Sequence, residues 1–192
     1  MNHTHFPLNL LPDPENSALL IVDLQERLAA AMPAHLQPAV IRNTVILIET
    51  ACEFSLPILV SEQYPRGLGP TLPEVRAALP DHILPVEKVV FSCCREPAFN
   101  ALFESVAGRD IILCGIEAHV CVLQTALDLL ANGHRVFIVA DAVCSRTEEN
   151  RFLGLELLRQ AGAVIGSTEI IAFGLLRAAG SDRFKRISKL VK

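Results

Sequence analysis

Ala18-Leu19-Leu20-Ile21-Val22-Asp23 is apolar without a break and then ends on a carboxylate. A strand with one wet face would alternate apolar and polar residues, so an unbroken run of this kind fits a strand buried on both sides, as in a parallel sheet sandwiched between helices. Similar runs recur outward along the chain. They occupy residues 57–61, a weaker stretch at 86–91, then 110–114, 135–140 and 163–166. Between them lie helical patterns. One begins at about Pro38, whose fixed φ suits a first turn, and carries a wide apolar stripe through Val40, Ile41, Val45, Ile46, Ile48, Cys52 and Phe54. Others are expected over 96–106, over 118–132 with Gly133 as the terminating residue, over 148–160, and in a C-terminal region. This alternation predicts an α/β fold, an open and mainly parallel sheet with helices on both faces.

The 192 residues suit one compact domain spanning 1–192, and no repeat, low-complexity segment or linker divides them. Hydrophobic residues make up 51% and mean hydropathy is +0.39. No apolar stretch reaches the ~18 residues of a membrane span, so the excess must lie in core or interface. The net charge of -4 and the scattering of Lys and Arg argue against a nucleic-acid binder. A mildly basic tail, Arg183, Lys185, Arg186, Lys189 and Lys192, reads as a solvated last helix. The N-terminal residues carry no export signal, which makes the cytoplasm the default expectation. Six cysteines without that signal read as free thiols, and no CxxC pair or Cys/His cluster suggests a metal.

Open α/β sheets bind ligands beyond the carboxyl ends of their strands. That rule selects Asp23, Ser61 to Tyr64, Lys88 to Ser92, Gly115 to Cys121, and Asp141. Cys121 follows a strand, a glycine and the start of a helix in Cys114-Gly115-Ile116-Glu117-Ala118-His119-Val120-Cys121. Helix N-terminal N–H groups can lower a thiol below its ordinary pKa of ~8.5 and can hold an oxyanion. Position alone leaves two readings for Cys121, a nucleophile or a small core residue. Asp23 must be desolvated at the end of its apolar strand and calls for a partner. Lys88 is the candidate, and such a pair can move a thiol proton.

Around these three, Gln25, Tyr64, Ser92 and His119 are candidate substrate contacts, and Arg66 joins Tyr64 in a loop over 64–73 rich in Gly and Pro. His119 stands two positions from Cys121, a spacing at which helix residues do not face each other, so a Cys-His dyad is not expected. Glu117 is read as a substrate contact or a surface carboxylate at a helix start. Asp141 is expected to cap the next turn, and Cys93 and Cys94 to be exposed thiols.

Three ordered segments, Leu20-Ile21-Val22-Asp23-Leu24-Gln25, Glu87-Lys88-Val89-Val90-Phe91-Ser92 and Gly115-Ile116-Glu117-Ala118-His119-Val120-Cys121-Val122-Leu123-Gln124-Thr125-Ala126, resemble the isochorismatase-like cysteine hydrolases. That family includes nicotinamidases and N-carbamoylsarcosine amidases, and the likeness covers about 17–174. The resemblance implies a Rossmann-like three-layer fold and an Asp23, Lys88, Cys121 triad. It also implies an oxyanion hole from the N–H groups of Glu117 and Cys121, and a cis peptide at Ile116-Glu117. Metal-binding nicotinamidases carry histidines after the second strand, where this chain reads Ser61-Glu62-Gln63-Tyr64-Pro65-Arg66-Gly67. No metal or other cofactor is therefore expected. Isochorismate hydrolases of siderophore pathways lack the nucleophilic cysteine, which disfavours vinyl-ether hydrolysis. The loop from Ser61 to Thr71 looks like that of the isochorismatase-domain-containing branch.

A dinucleotide site would need glycines in Asp23-Leu24-Gln25-Glu26-Arg27, and there are none. An aspartate-nucleophile phosphatase would need a second aspartate where Gln25 stands. The expected function is metal-independent cysteine hydrolysis of a small amide or related C–N bond through an acyl-thioenzyme. The alternatives are a catalytically silent oligomeric scaffold and a vinyl-ether hydrolase. A homo-oligomer is expected, assembled through the stripe at 40–54.

Overall fold

The structure is a computed structural model and describes residues 10–192. Six strands form one sheet in the order β3-β2-β1-β4-β5-β6, every pair parallel. The strands are β1 (Ser17–Val22), β2 (Ile58–Gln63), β3 (Val86–Lys88), β4 (Asp110–Ile116), β5 (Val136–Cys144) and β6 (Val164–Gly166). The helices are α1 (Glu26–Ala30), α2 (Gln37–Glu53), α3 (Pro65–Leu68), α4 (Pro73–Ala78), α5 (Pro97–Ser105), α6 (Cys121–Ala131), α7 (Glu148–Gln160), α8 (Thr168–Leu176) and α9 (Asp182–Leu190).

The uninterrupted apolar reading of β1 is explained by what lies on its two sides. Leu19 and Ile21 join a core with Leu47 and Ile48 of α2 and Ile171 and Leu175 of α8. Ala18, Leu20 and Val22 join the opposite core, with Phe99 of α5, Val122 and Leu129 of α6 and Leu158 of α7. Side chains alternate along the strand, and both faces are dry.

β1 and β4 sit side by side at the middle of the sheet, in register from Ser17↔Asp110 to Val22↔Gly115. The chain leaves β1 toward β2 on one side and enters β4 from the other, so a crevice opens at their carboxyl ends. Gly115 is required there. Its φ is +122°, and a Cβ would lie 2.0 Å from the Val22 carbonyl oxygen.

Local departures from the sequence reading have physical causes. The loop over 64–73 contains the single turn α3, started by Pro65 after Tyr64 takes a left-handed conformation (φ 38°). Pro73 opens α4 in the same manner. β5 runs past Asp141 to Cys144 because its pairing with β4 shifts register between Leu113 and Gly115. Helix α6 starts at Cys121 rather than 118, since residues 118–120 form a turn.

Two expectations are corrected. The α2 stripe does not face outward, because Val40, Ile46, Leu47, Ile48 and Ala51 are buried against the sheet and the helices packed over it. Cys93 is fully buried and Cys94 half-buried, so neither is an exposed thiol. Asp141 holds the start of α8, accepting from the Thr168 amide (2.8 Å) and hydroxyl (2.9 Å). The basic tail packs on α2, with Arg186 on Glu53 (2.6 and 2.7 Å) and Arg183 over the Phe54 ring. Among the described residues no helix is long and apolar enough to cross a membrane.

Candidate active site

Asp23 is the first residue beyond β1, and its φ of +52° turns the chain sharply out of the sheet. Its carboxylate is fully buried and doubly held. Ser61, in β2, donates to Oδ1 at 2.7 Å, and Lys88, the last residue of β3, donates to Oδ2 at 2.7 Å. The Lys88 ammonium also reaches Gln63 Oε1 (2.7 Å) and the carbonyls of Phe91 (3.1 Å) and Val90 (3.4 Å). Neither side chain of this pair has any solvent exposure. Burial, the largest single influence, would lower the Lys88 ammonium; Asp23, Cys121 and Cys93 together outweigh it and hold the ammonium above the usual lysine value.

Cys121 opens α6 and is 5% exposed. Burial, then the Asp23 charge, pushes its thiol well above the usual cysteine range, with Lys88 acting in the opposite sense. The helix start therefore does not produce a resting thiolate. The Lys88 ammonium is bonded to the Asp23 carboxylate and acts on the thiol only through space. The peptide Ile116-Glu117 is cis. Among the described residues the main-chain N–H groups of Glu117 and Cys121 have no hydrogen-bond acceptor, while Ala118 N–H is bound to the Cys144 carbonyl at 2.8 Å. Two free donors thus lie in the segment that runs from the end of β4 to the first residue of α6.

The other candidates are dispersed. Gln25 is fully buried, and its amide is committed to the main chain, donating to the carbonyls of Gln63 (3.0 Å) and Gly69 (2.6 Å) and accepting from Gln63 N–H (2.7 Å). Ser92 is also buried, and its hydroxyl accepts from Cys94 N–H at 3.2 Å. His119 is half-buried, with Nδ1 3.0 Å from Ser145 Oγ. Glu117 Oε1 accepts from Arg146 Nε (2.9 Å) and from its amide (3.3 Å). Tyr64 and Arg66 line a cavity of about 350 Å³ together with Glu87, Lys88, Val89 and Glu96. Cys121 does not line that cavity.

Sequence reasoning selected the stretch from Ser61 to Tyr64 without giving Gln63 a role, and it left Cys93 outside the site. Gln63 supplies the second short contact to the ammonium, and its place at the end of β2 beside Lys88 was the available signal. The Cys93 amide donates to Thr125 Oγ1 (3.0 Å), one turn beyond Cys121, and burial pushes its thiol up to about 11. No group of three or more His, Cys, Asp or Glu among the described residues is arranged to hold a metal ion.

Residues 17–170 match the isochorismatase domain. The chain belongs to the isochorismatase domain family. It is 38% identical over 183 residues to isochorismatase domain-containing protein 2A of Mus musculus, covering 93% of this chain and 84% of that protein. It is 40% identical over 182 residues to the secreted isochorismatase effector Isc1 of Phytophthora sojae, covering 93% and 86%. Among solved structures, the MAR1 ribonuclease of Caenorhabditis elegans superposes with a TM-score of 0.87 at 39% identity, covering 94% of this chain and 92% of that one. The YcaC gene product of Escherichia coli, described as an octameric hydrolase of unknown specificity, shares the fold at 24% identity and a TM-score of 0.81, covering 93% and 85%. The three-layer α/β architecture and the family's hydrolase fold are thus established for this chain.

Proposed function

We propose that this chain is a metal-independent cysteine hydrolase of small amides or related C–N bonds. The observation that carries the reading is the fully buried Lys88–Asp23 pair at the foot of the β1/β4 crevice, within electrostatic reach of the Cys121 thiol. A buried ion pair contributes little to stability relative to an apolar pair, so its presence beside a thiol argues for chemistry.

The steps follow from the protonation states. Asp23 accepts the Cys121 proton as Sγ bonds to the substrate carbonyl carbon, and the Lys88 ammonium stays in place to stabilise the negative charge. The carbonyl oxygen becomes an oxyanion facing the N–H groups of Glu117 and Cys121. Collapse breaks the C–N bond, and the proton on Asp23 leaves with the amine. Water then attacks the thioester, giving its proton to Asp23, and the carboxylic acid departs as the thiol is restored. Amide and water become acid and amine, with no oxidant or metal required.

Tyr64 and Arg66, in their cavity wall, and His119, at the turn before Cys121, are the side chains we assign to substrate contact. Gln25 acts as a staple between the ends of β1 and β2. The C. elegans relative is named a ribonuclease, but the net charge of -4 and the scattered cations here favour a small substrate over RNA. We also read the chain as a homo-oligomer of the cytoplasm, like its octameric neighbour in assembly.

The test is turnover of a panel of small amides by the wild type and by Cys121→Ala. Amine release that vanishes in the variant is expected. Equal rates in both would remove Cys121 from the chemistry, and no turnover by either would favour the scaffold.

A further inference from the structure

Helix α7 holds three large apolar side chains in water: Phe152 (62% exposed), Leu153 (49%) and Leu157 (52%). Its other side, Gly154, Leu155 and Leu158, is buried. Buried and exposed apolar residues together exceed what one stripe facing the core requires. The stripe on α2 is covered by the chain's own helices. Among the described residues α7 carries more exposed large apolar side chains than any other helix, ahead of α8 with Ile170 and Phe173.

The charges on α7 indicate what covers it. Its first turn is acidic, with Glu148 and Glu149, and its last turn carries Arg159. Glu149 makes no ion pair among the described residues, and Arg159 is bonded only to Glu156, one turn back on the same helix. We infer that α7 is the surface through which two copies of this chain pair, antiparallel about a two-fold axis passing at the level of Gly154. The proposal rests on the oligomeric reading above and gives it a location.

Glu149 and Arg159 lie equally far from Gly154 along the helix, about 7.5 Å each at 1.5 Å per residue. A two-fold axis at that level brings each Glu149 opposite the Arg159 of the other copy. It sets Leu153 beside its own counterpart and Phe152 near the other copy's Leu157. The helix dipoles then run in opposite directions, which is also favourable. Such self-complementarity defines an isologous interface. A parallel arrangement of the two helices would instead place acid on acid. The complement of one end of α7 is its own other end, which favours a second copy over an unrelated protein.

Sedimentation velocity of the full chain at micromolar concentration is the test. The wild type should sediment as a multiple of the 20.9 kDa chain. Leu157→Glu should lower that mass at least twofold while circular dichroism stays native. Glu149→Arg should weaken association about tenfold, by setting like charges together. Adding Arg159→Glu to it should restore association, because both pairs then re-form with reversed sign. A monomeric wild type would overturn both the oligomeric reading and this interface. An oligomer untouched by Leu157→Glu would overturn the interface alone, and so would failure of the double charge reversal to restore what Glu149→Arg removes.

Discussion

Replacing Lys88 by methionine keeps most of the side-chain volume and removes the charge. The variant leaves the Asp23 carboxylate with no solvent exposure and, apart from the neighbouring Cys121 thiol, only the Ser61 hydroxyl as a side-chain partner, at 2.7 Å. It also orphans Gln63 Oε1 and the Phe91 carbonyl, which the ammonium holds at 2.7 and 3.1 Å. Removing one partner of a buried ion pair costs about 3–5 kcal/mol. In a chain of this size that corresponds to a fall in Tm of about 6–20 °C. Asp23→Asn is the matching neutral change, and asparagine tolerates the left-handed φ of +52° as aspartate does. The double variant has no uncompensated charge, so it should be more stable than Lys88→Met alone by about 2 kcal/mol or more. Urea unfolding of the wild type, both single variants and the double variant supplies the cycle. A loss below about 1 kcal/mol for Lys88→Met, or a double variant as unstable as the sum of the singles, would refute the reasoning. All three variants should lack amidase activity, which separates stability from chemistry.

Further expectations follow from particular contacts. Gly115→Ala should prevent folding or cost about 3 kcal/mol or more, because its Cβ would sit 2.0 Å from the Val22 oxygen at a φ of +122°; a soluble variant with wild-type Tm would contradict this. Gly154→Ala would put a Cβ 2.9 Å from the Ala118 carbonyl oxygen, in the turn that leads to Cys121. Steady-state kinetics should show kcat down about tenfold with a modest change in Tm, since small misplacements near the chemistry are costly; unchanged kcat would contradict it. Stability should also fall in alkali. Burial raises the Cys114 thiol to about 12 and Cys93 to about 11, whereas unfolded thiols ionise near ~8.5. Above that pH the unfolded chain has released protons that the native chain retains. The stabilisation is therefore complete below about pH 8.5 and is lost as pH rises toward 11 and 12, at about 1.4 kcal/mol per pH unit for each thiol. Denaturant midpoints that stay level between pH 8 and 10 would contradict it.

The fold was legible because burial on both sides of β1, β4 and β5 leaves runs that only a covered parallel sheet explains. The bounds of α7 and the start of α2 at its proline were readable for the same reason, a strong period or a fixed φ. Other features were hidden by tertiary context. The stripe on α2 reads outward in isolation, yet α4, α8 and α9 lie over it. Cys93 falls outside any periodic apolar pattern in the sequence, but its amide is tied to Thr125 of α6 and the residue is fully buried. The Asp23–Lys88 contact joins residues 65 positions apart, and local pattern carries no trace of it. What pointed to it was the charge at the end of an apolar strand. Helix-start electrostatics suggested a lowered Cys121 pKa, whereas burial and the neighbouring carboxylate dominate.

The central claim is that Cys121 forms the covalent bond, and peptide mapping by mass spectrometry tests it most directly. Protein mixed with a slowly hydrolysed small amide and quenched in acid should carry the acyl group on the peptide containing Cys121. The adduct should be absent from Cys121→Ala and depleted in Asp23→Asn. An unmodified Cys121 together with full turnover by Cys121→Ala would contradict the account.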